Sequence, residues 1–126
     1  MRNIIASIVI FAVLITTIII SINYIDRTCL EFESMYIQLE HDVNTKSWDK
    51  AYSSSITLLN KWKKSSHTLS MFVNHQEIDN INNELWKLIP YTQDKNTDEA
   101  LASIHVLKFY VEHIIQMENI NLQNIF

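Results

Sequence analysis

The chain of 126 residues contains no glycine, a single proline and a single cysteine. Without glycine there is no residue that enters positive φ freely or lets a backbone approach a ligand closely, so a phosphate-cradling loop and a dinucleotide fingerprint are excluded. The usual residues of tight hairpin turns are missing as well, which argues against a β fold. Basic residues are also scarce, 10 Lys and Arg against 14 Asp and Glu. Setting aside Arg2 leaves nine basic residues and a net charge of −5 on the rest of the chain, which makes nucleic acid an improbable partner.

The first feature present is an uncharged run of 19 residues, Ile4 to Ile22, rich in Ile, Val, Leu, Phe and Ala. As a helix it spans roughly 28 Å, close to the hydrocarbon thickness of a bilayer. It is longer than the apolar core of a cleaved signal peptide, and "SINYIDRTC" offers neither a small-residue cleavage site nor a lipidation box before Cys29. Residues 1–25 therefore read as an uncleaved transmembrane anchor that contacts the bilayer through residues 4–22, and residues 26–126 as the domain it carries. Arg2 and the amino terminus lie on one side of the span and Arg27 on the other. Counting positive charge near the membrane puts the amino terminus in the cytoplasm and the domain outside it, as a single-pass protein of the cell membrane. Cys29 reads as a small, half-buried apolar residue. The alternative is a homodimer linked through Cys29, if that side of the membrane is oxidising.

Beyond the anchor the apolar positions repeat at three and four, so the fold class is all-α. Phe32, Tyr36, Leu39 and Val43 form one stripe; Trp48, Ala51, Tyr52, Ser55, Leu59 and Trp62 a second; Ile78, Ile81, Leu85 and Leu88 a third; Leu101, Ile104, Val111 and Ile114 a fourth. Nothing between Ile22 and Val43 breaks a helix, so the transmembrane helix continues into an antiparallel four-helix bundle. "NTKS" at 44–47 separates the first two helices. Asn96 with Glu99, and Asn74 with Glu77, have the spacing of capping boxes, the second bracketed by Val73 and Ile78 as a hydrophobic staple. Pro90 is expected to kink or end the third helix. "SWDKAYSSSITLL" and "TDEALASIHVL" echo each other weakly, too briefly to count as a repeat.

Candidate chemistry is sparse. His75 and Asp79 share a helix face at i, i+4, and His105, Glu112 and His113 on the fourth helix are further candidate metal ligands. A His/Asp pair of this kind is more often a surface or capping feature, and neither a metal nor another cofactor is expected. No histidine has a glutamate three positions before it, so the di-iron bundle pattern is missing. Cys29 and His41 are twelve residues apart on one helix, roughly 18 Å, too far for a nucleophile and its base. No catalytic residues are assigned, and the chain is read as a non-enzyme.

"WDKA" at 48–51, "LLNKW" at 58–62, "MFVNHQEID" at 71–79, "EALASIHVLK" at 99–108, "VEHI" at 111–114 and the terminal "NLQNIF" resemble the uncharacterised bacterial domain-of-unknown-function family four-three-six-three. The resemblance implies a membrane-anchored helical protein of spore-forming bacteria and no defined activity; Pro90 departs from the family pattern. The expected role is an accessory or protein-interaction module that binds another membrane or envelope protein; the alternative is a small-ligand or metal-sensing domain. If each helix runs about 20 residues, roughly 30 Å, the second returns to the membrane near Trp62. Lys61, Trp62, Lys63, Lys64, Met71, Phe72, Ile125 and Phe126 then form a membrane or partner surface, with cations near anionic lipid and an indole at the boundary. The plainer reading is that the lysines complement a helix carboxyl end and that Trp62 is core.

Overall fold

The computed structural model describes residues 1–125, apart from the side chains of residues 121, 122 and 125. The chain forms four helices, α1 (Arg2–Asn44), α2 (Trp48–Leu69), α3 (His75–Gln93) and α4 (Thr97–Ile125), and there is no strand among the described residues. Neighbours in sequence pack on each other, and α1 closes the ring against α4, giving an antiparallel four-helix bundle.

One helix, α1, does two jobs. Its 43 residues are unbroken, roughly 64 Å in length. Up to Ile20 its large apolar side chains stand free of the bundle, Phe11 being 65% exposed. That half is long and apolar enough to cross a membrane. The hydroxyls of Ser7, Thr16, Thr17 and Ser21 donate back to the carbonyls of Asn3, Ala12, Val13 and Ile18, so these four hydroxyls are satisfied within the helix. From Ile25 onward the same helix turns a stripe inward: Ile25, Cys29, Phe32, Tyr36, Leu39 and Val43 are all buried. The core thus begins at Ile25, one residue inside the segment assigned to the anchor.

The stripes on α1 and α3 are buried as expected, and those on α2 and α4 need adjustment. Tyr52 is 37% exposed, and Leu58 and Leu69 are core instead. On α4, Leu101 is half-buried and Ala100 and Leu107 complete the seam. Phe32 and Trp62 meet edge to face at 5.3 Å between ring centroids, tying α1 to α2 at mid-height.

Both turns at the end remote from the apolar half of α1 are built alike, without glycine. After α1, the Lys46 N–H donates to the Val43 carbonyl and the Ser47 N–H to the Asp42 carbonyl; after α3, Lys95 donates to Thr92 and Asn96 to Tyr91. This is the Schellman pattern, and its left-handed residue is Lys46 (φ 56°) in one turn and Lys95 (φ 57°) in the other. Ala51 and Ala100 then sit fully buried at matching places in the helices that follow, so the weak sequence echo marks a shared turn geometry. The N–H of Glu99 donates to the Asn96 side chain, so Asn96 caps α4, but the box stays half-formed because the Asn96 N–H donates to the Tyr91 carbonyl.

Pro90 does not end α3, which continues to Gln93. Pro90 is on the exposed face, and the carbonyl it leaves without a helical donor belongs to Trp86, itself 51% exposed and open to water. The extra turn past Pro90 matters, because it places Thr92 where its hydroxyl meets Ser55 in the core at 3.3 Å.

A lysine in left-handed geometry costs about 1 kcal/mol relative to glycine. Lys95→Gly should raise the stability of the full chain in detergent by about 1 kcal/mol, whereas Lys95→Ala, which keeps a Cβ, should leave it nearly unchanged. Denaturant titration followed by circular dichroism checks both.

Candidate functional site

The two ends of the bundle differ in kind, and the register of α1 against its neighbours fixes which residues stand where. Lys61 Nζ meets Glu31 Oε2 at 3.1 Å, and Phe32 packs on Trp62. Trp62 is therefore level with a residue about ten positions beyond Ile22, roughly 15 Å from the apolar half of α1. α2 continues past it to Leu69, which the same antiparallel register puts at the level of Tyr24 and Ile25 on α1. The expectation that α2 completes its run by Trp62 is corrected accordingly: the helix continues seven residues further, to Leu69.

That longer run takes Trp62 out of the expected surface. Trp62 is 2% exposed and belongs to the core, because its indole fills the gap between α1 and α2 beside Phe32. Lys61 is held by Glu31, an exposed pair that contributes little to stability. Lys63 lies over the Trp86 ring at 4.6 Å, a cation–π contact between α2 and α3. Lys64 is exposed. Met71 and Phe72 are 69% and 40% exposed in the α2–α3 turn, as a surface requires. The side chain of Ile125, and all of Phe126, lie outside the described residues.

Around that turn the polar groups are arranged structurally. The Asn74 side chain accepts from the Gln76 N–H at 2.9 Å, capping α3. Glu77 does not complete the capping box. It points across to α4, where its Oε1 lies 3.3 Å from Nδ1 of His113, and the imidazole stacks on Phe109 at 6.0 Å. Phe72, Val73, Asn74, Glu77, Ile114, Met117 and Glu118 line a recess of about 150 Å³ between α3 and α4. Burial there, with the charge of Asp26 nearby, raises the pKa of Glu118 above the ordinary carboxylate value.

The candidate metal ligands are not brought together. His105 lies 3.1 Å from Glu40 on α1, and His113 faces Glu77, two turns further along α4. His75 and Asp79 are exposed on α3. No group of three or more His, Cys, Asp or Glu side chains converges among the described residues. Cys29 is 4% exposed and faces the core, so it would have to leave its packing to reach a second chain. Burial, with a smaller contribution from the Asp26 charge, pushes its thiol up to about 12.

A second surface was not anticipated from sequence. Besides its core seam, α4 carries Val106, Phe109, Met117 and Ile120 on another side, exposed by 37%, 62%, 44% and 50%, with His113 in line between them. The signal was there to be counted. These positions also repeat at three and four, and the fourth stripe is already complete without them.

The profile of the family DUF4363, a domain of unknown function, matches residues 19–125, and the chain belongs to that family. The match takes in the bundle and only the last turn of the apolar run, from Ile19 onward. No curated protein and no solved structure matches the chain.

Two substitutions separate core from surface. Trp62→Ala should cost about 3–5 kcal/mol, because it empties a packed site, while Lys64→Gln should change stability by less than about 0.5 kcal/mol. Thermal and denaturant unfolding of the full chain measures both. Cys29 should resist thiol reagents at pH 8 in the folded protein and react promptly once the bundle is unfolded.

Proposed function

We propose that this DUF4363 member is a single-pass protein of the bacterial cell membrane whose bundle is a non-enzymatic accessory module, docking another membrane or envelope protein. The observation that carries the reading is the continuity of α1: one helix supplies both a membrane-length apolar half and six of the 20 buried hydrophobic residues of the core, with no linker between them. A bundle mounted in this way is held at a fixed height and orientation, which suits presentation of a surface. The surface best suited to a protein is the exposed stripe of α4. Phe109 lies near the level of Tyr36 on α1, about 20 Å above Ile22 and so beyond the reach of lipid. Exposed apolar area in a line along one helix is the pattern of helix-on-helix recognition. The amino-terminal charge of Arg2 supports an outward-facing bundle.

A photo-crosslinking residue at Phe109 should give one discrete adduct in native membranes, and the same residue at exposed Ser53, on the α1/α2 face, should give none. Equal labelling from both positions would overturn the interaction reading. Protease added to intact spheroplasts should digest the bundle; complete protection would overturn its outward orientation.

A further inference from the structure

We infer that the α2–α3 turn, Ser70–Asn74, is a second point of contact with the membrane, resting Met71 and Phe72 in the headgroup layer beside the place where α1 enters it. This rests on the anchored reading above and names lipid as what the lower end of the bundle meets.

Four observations converge on it. The register of α1 with α2 puts Leu69 near Tyr24 and Ile25, two or three residues past the apolar run, and the turn projects further in the same direction. The interfacial layer is about 5–7 Å deep on each side of the hydrocarbon, so the turn falls within it. Next, the turn is apolar where its counterparts are not. Ser70-Met71-Phe72-Val73-Asn74 replaces the lysine-bearing, polar turns around Lys46 and Lys95 at the far end, and no Lys, Arg, Asp or Glu occurs between Lys64 and Glu77. Third, Met71 is 69% and Phe72 40% exposed. Water gains nothing from these side chains, and an interface takes them up favourably.

The backbone supplies the last. Ser70 donates to the carbonyl of Ser66, Met71 to that of Thr68, and both Phe72 and Val73 to that of Leu69. The Ser70 hydroxyl is also satisfied, by the His67 carbonyl, and Asn74 caps α3. A turn whose N–H groups from Ser70 to Val73 are bonded internally enters a low-dielectric layer at less cost than an open loop would meet. With α1 as one support and this turn as the other, the bundle is restrained from tilting about its anchor, and the stripe of α4 keeps a constant angle to the membrane.

The test uses the full chain, reconstituted in phosphatidylcholine–phosphatidylglycerol vesicles that contain nitroxide-labelled lipid. Met71→Cys carries an environment-sensitive fluorophore; Lys95→Cys in the distal turn is the comparison, and Phe72→Cys a second probe in case the first perturbs the turn. Cys29 is buried and stays unlabelled. The expected result is a blue-shifted probe at positions 71 and 72, quenched several-fold more by headgroup-region nitroxide than the probe at position 95. If the protein stays in carbonate-washed vesicles while positions 71 and 72 are quenched no more than 95, the lipid contact is overturned, the anchor stands, and the turn is left for a protein partner or a second copy. If the protein washes out of the vesicles, the anchor falls and this contact with it.

Discussion

Everything in this structure hangs on the unbroken hydrogen-bond ladder of α1. A helix is stiff over tens of ångströms because each turn is bonded to the next, and no glycine or proline in this one interrupts the series. The environment changes partway along it, from side chains exposed all round to a single buried stripe that begins at Ile25, while the backbone does not. A linker at that junction would leave the bundle free to rotate. A continuous helix makes the bundle's height, its orientation and the direction of each of its faces consequences of one rod.

The lack of glycine is answered by local geometry of a particular kind. Two helix ends need a left-handed residue, and lysine occupies both, its long side chain free in solvent while the backbone bears the strain. The third turn avoids left-handed geometry altogether: the carbonyls of Ser66, Thr68 and Leu69 take up the N–H groups of Ser70 to Val73. Strained, charged turns therefore stand at one end of the bundle and an unstrained apolar one at the other. Mean hydropathy of the whole chain is near zero, and it conceals this polarity completely.

The bundle's few buried polar groups are arranged for packing. Ser55 and Thr92 face each other in the core and also bond to carbonyls of their own helices, so neither is left unsatisfied. Ser103 donates to Glu84 across the α3–α4 seam at 2.8 Å. The Tyr36 hydroxyl, by contrast, is enclosed without a partner, and burial together with the nearby charges of Glu33 and Glu112 holds its pKa up to about 12. These are the features of a body that keeps its shape.

Periodicity by itself determined the class of fold, the number of helices, the passage of the apolar run into the bundle and most of the core, because a side chain every three or four positions reports directly which face of a helix avoids water. Capping residues were equally legible at Asn74 and Asn96, since a cap is a contact between residues two or three apart. What sequence spacing could not decide was anything that depends on where two helices meet. Trp62 looked like an interfacial tryptophan beside three lysines until the length of α2 carried the chain a further seven residues and left the indole inside, against Phe32. Glu77 looked like half of a capping box until α4 brought His113 opposite it. The second stripe on α4 was written in the sequence, yet its exposure was not, because an apolar face is a surface only if the rest of the fold leaves it uncovered. Local order follows from bonds between near neighbours; the fate of each face follows from the register and packing of distant ones.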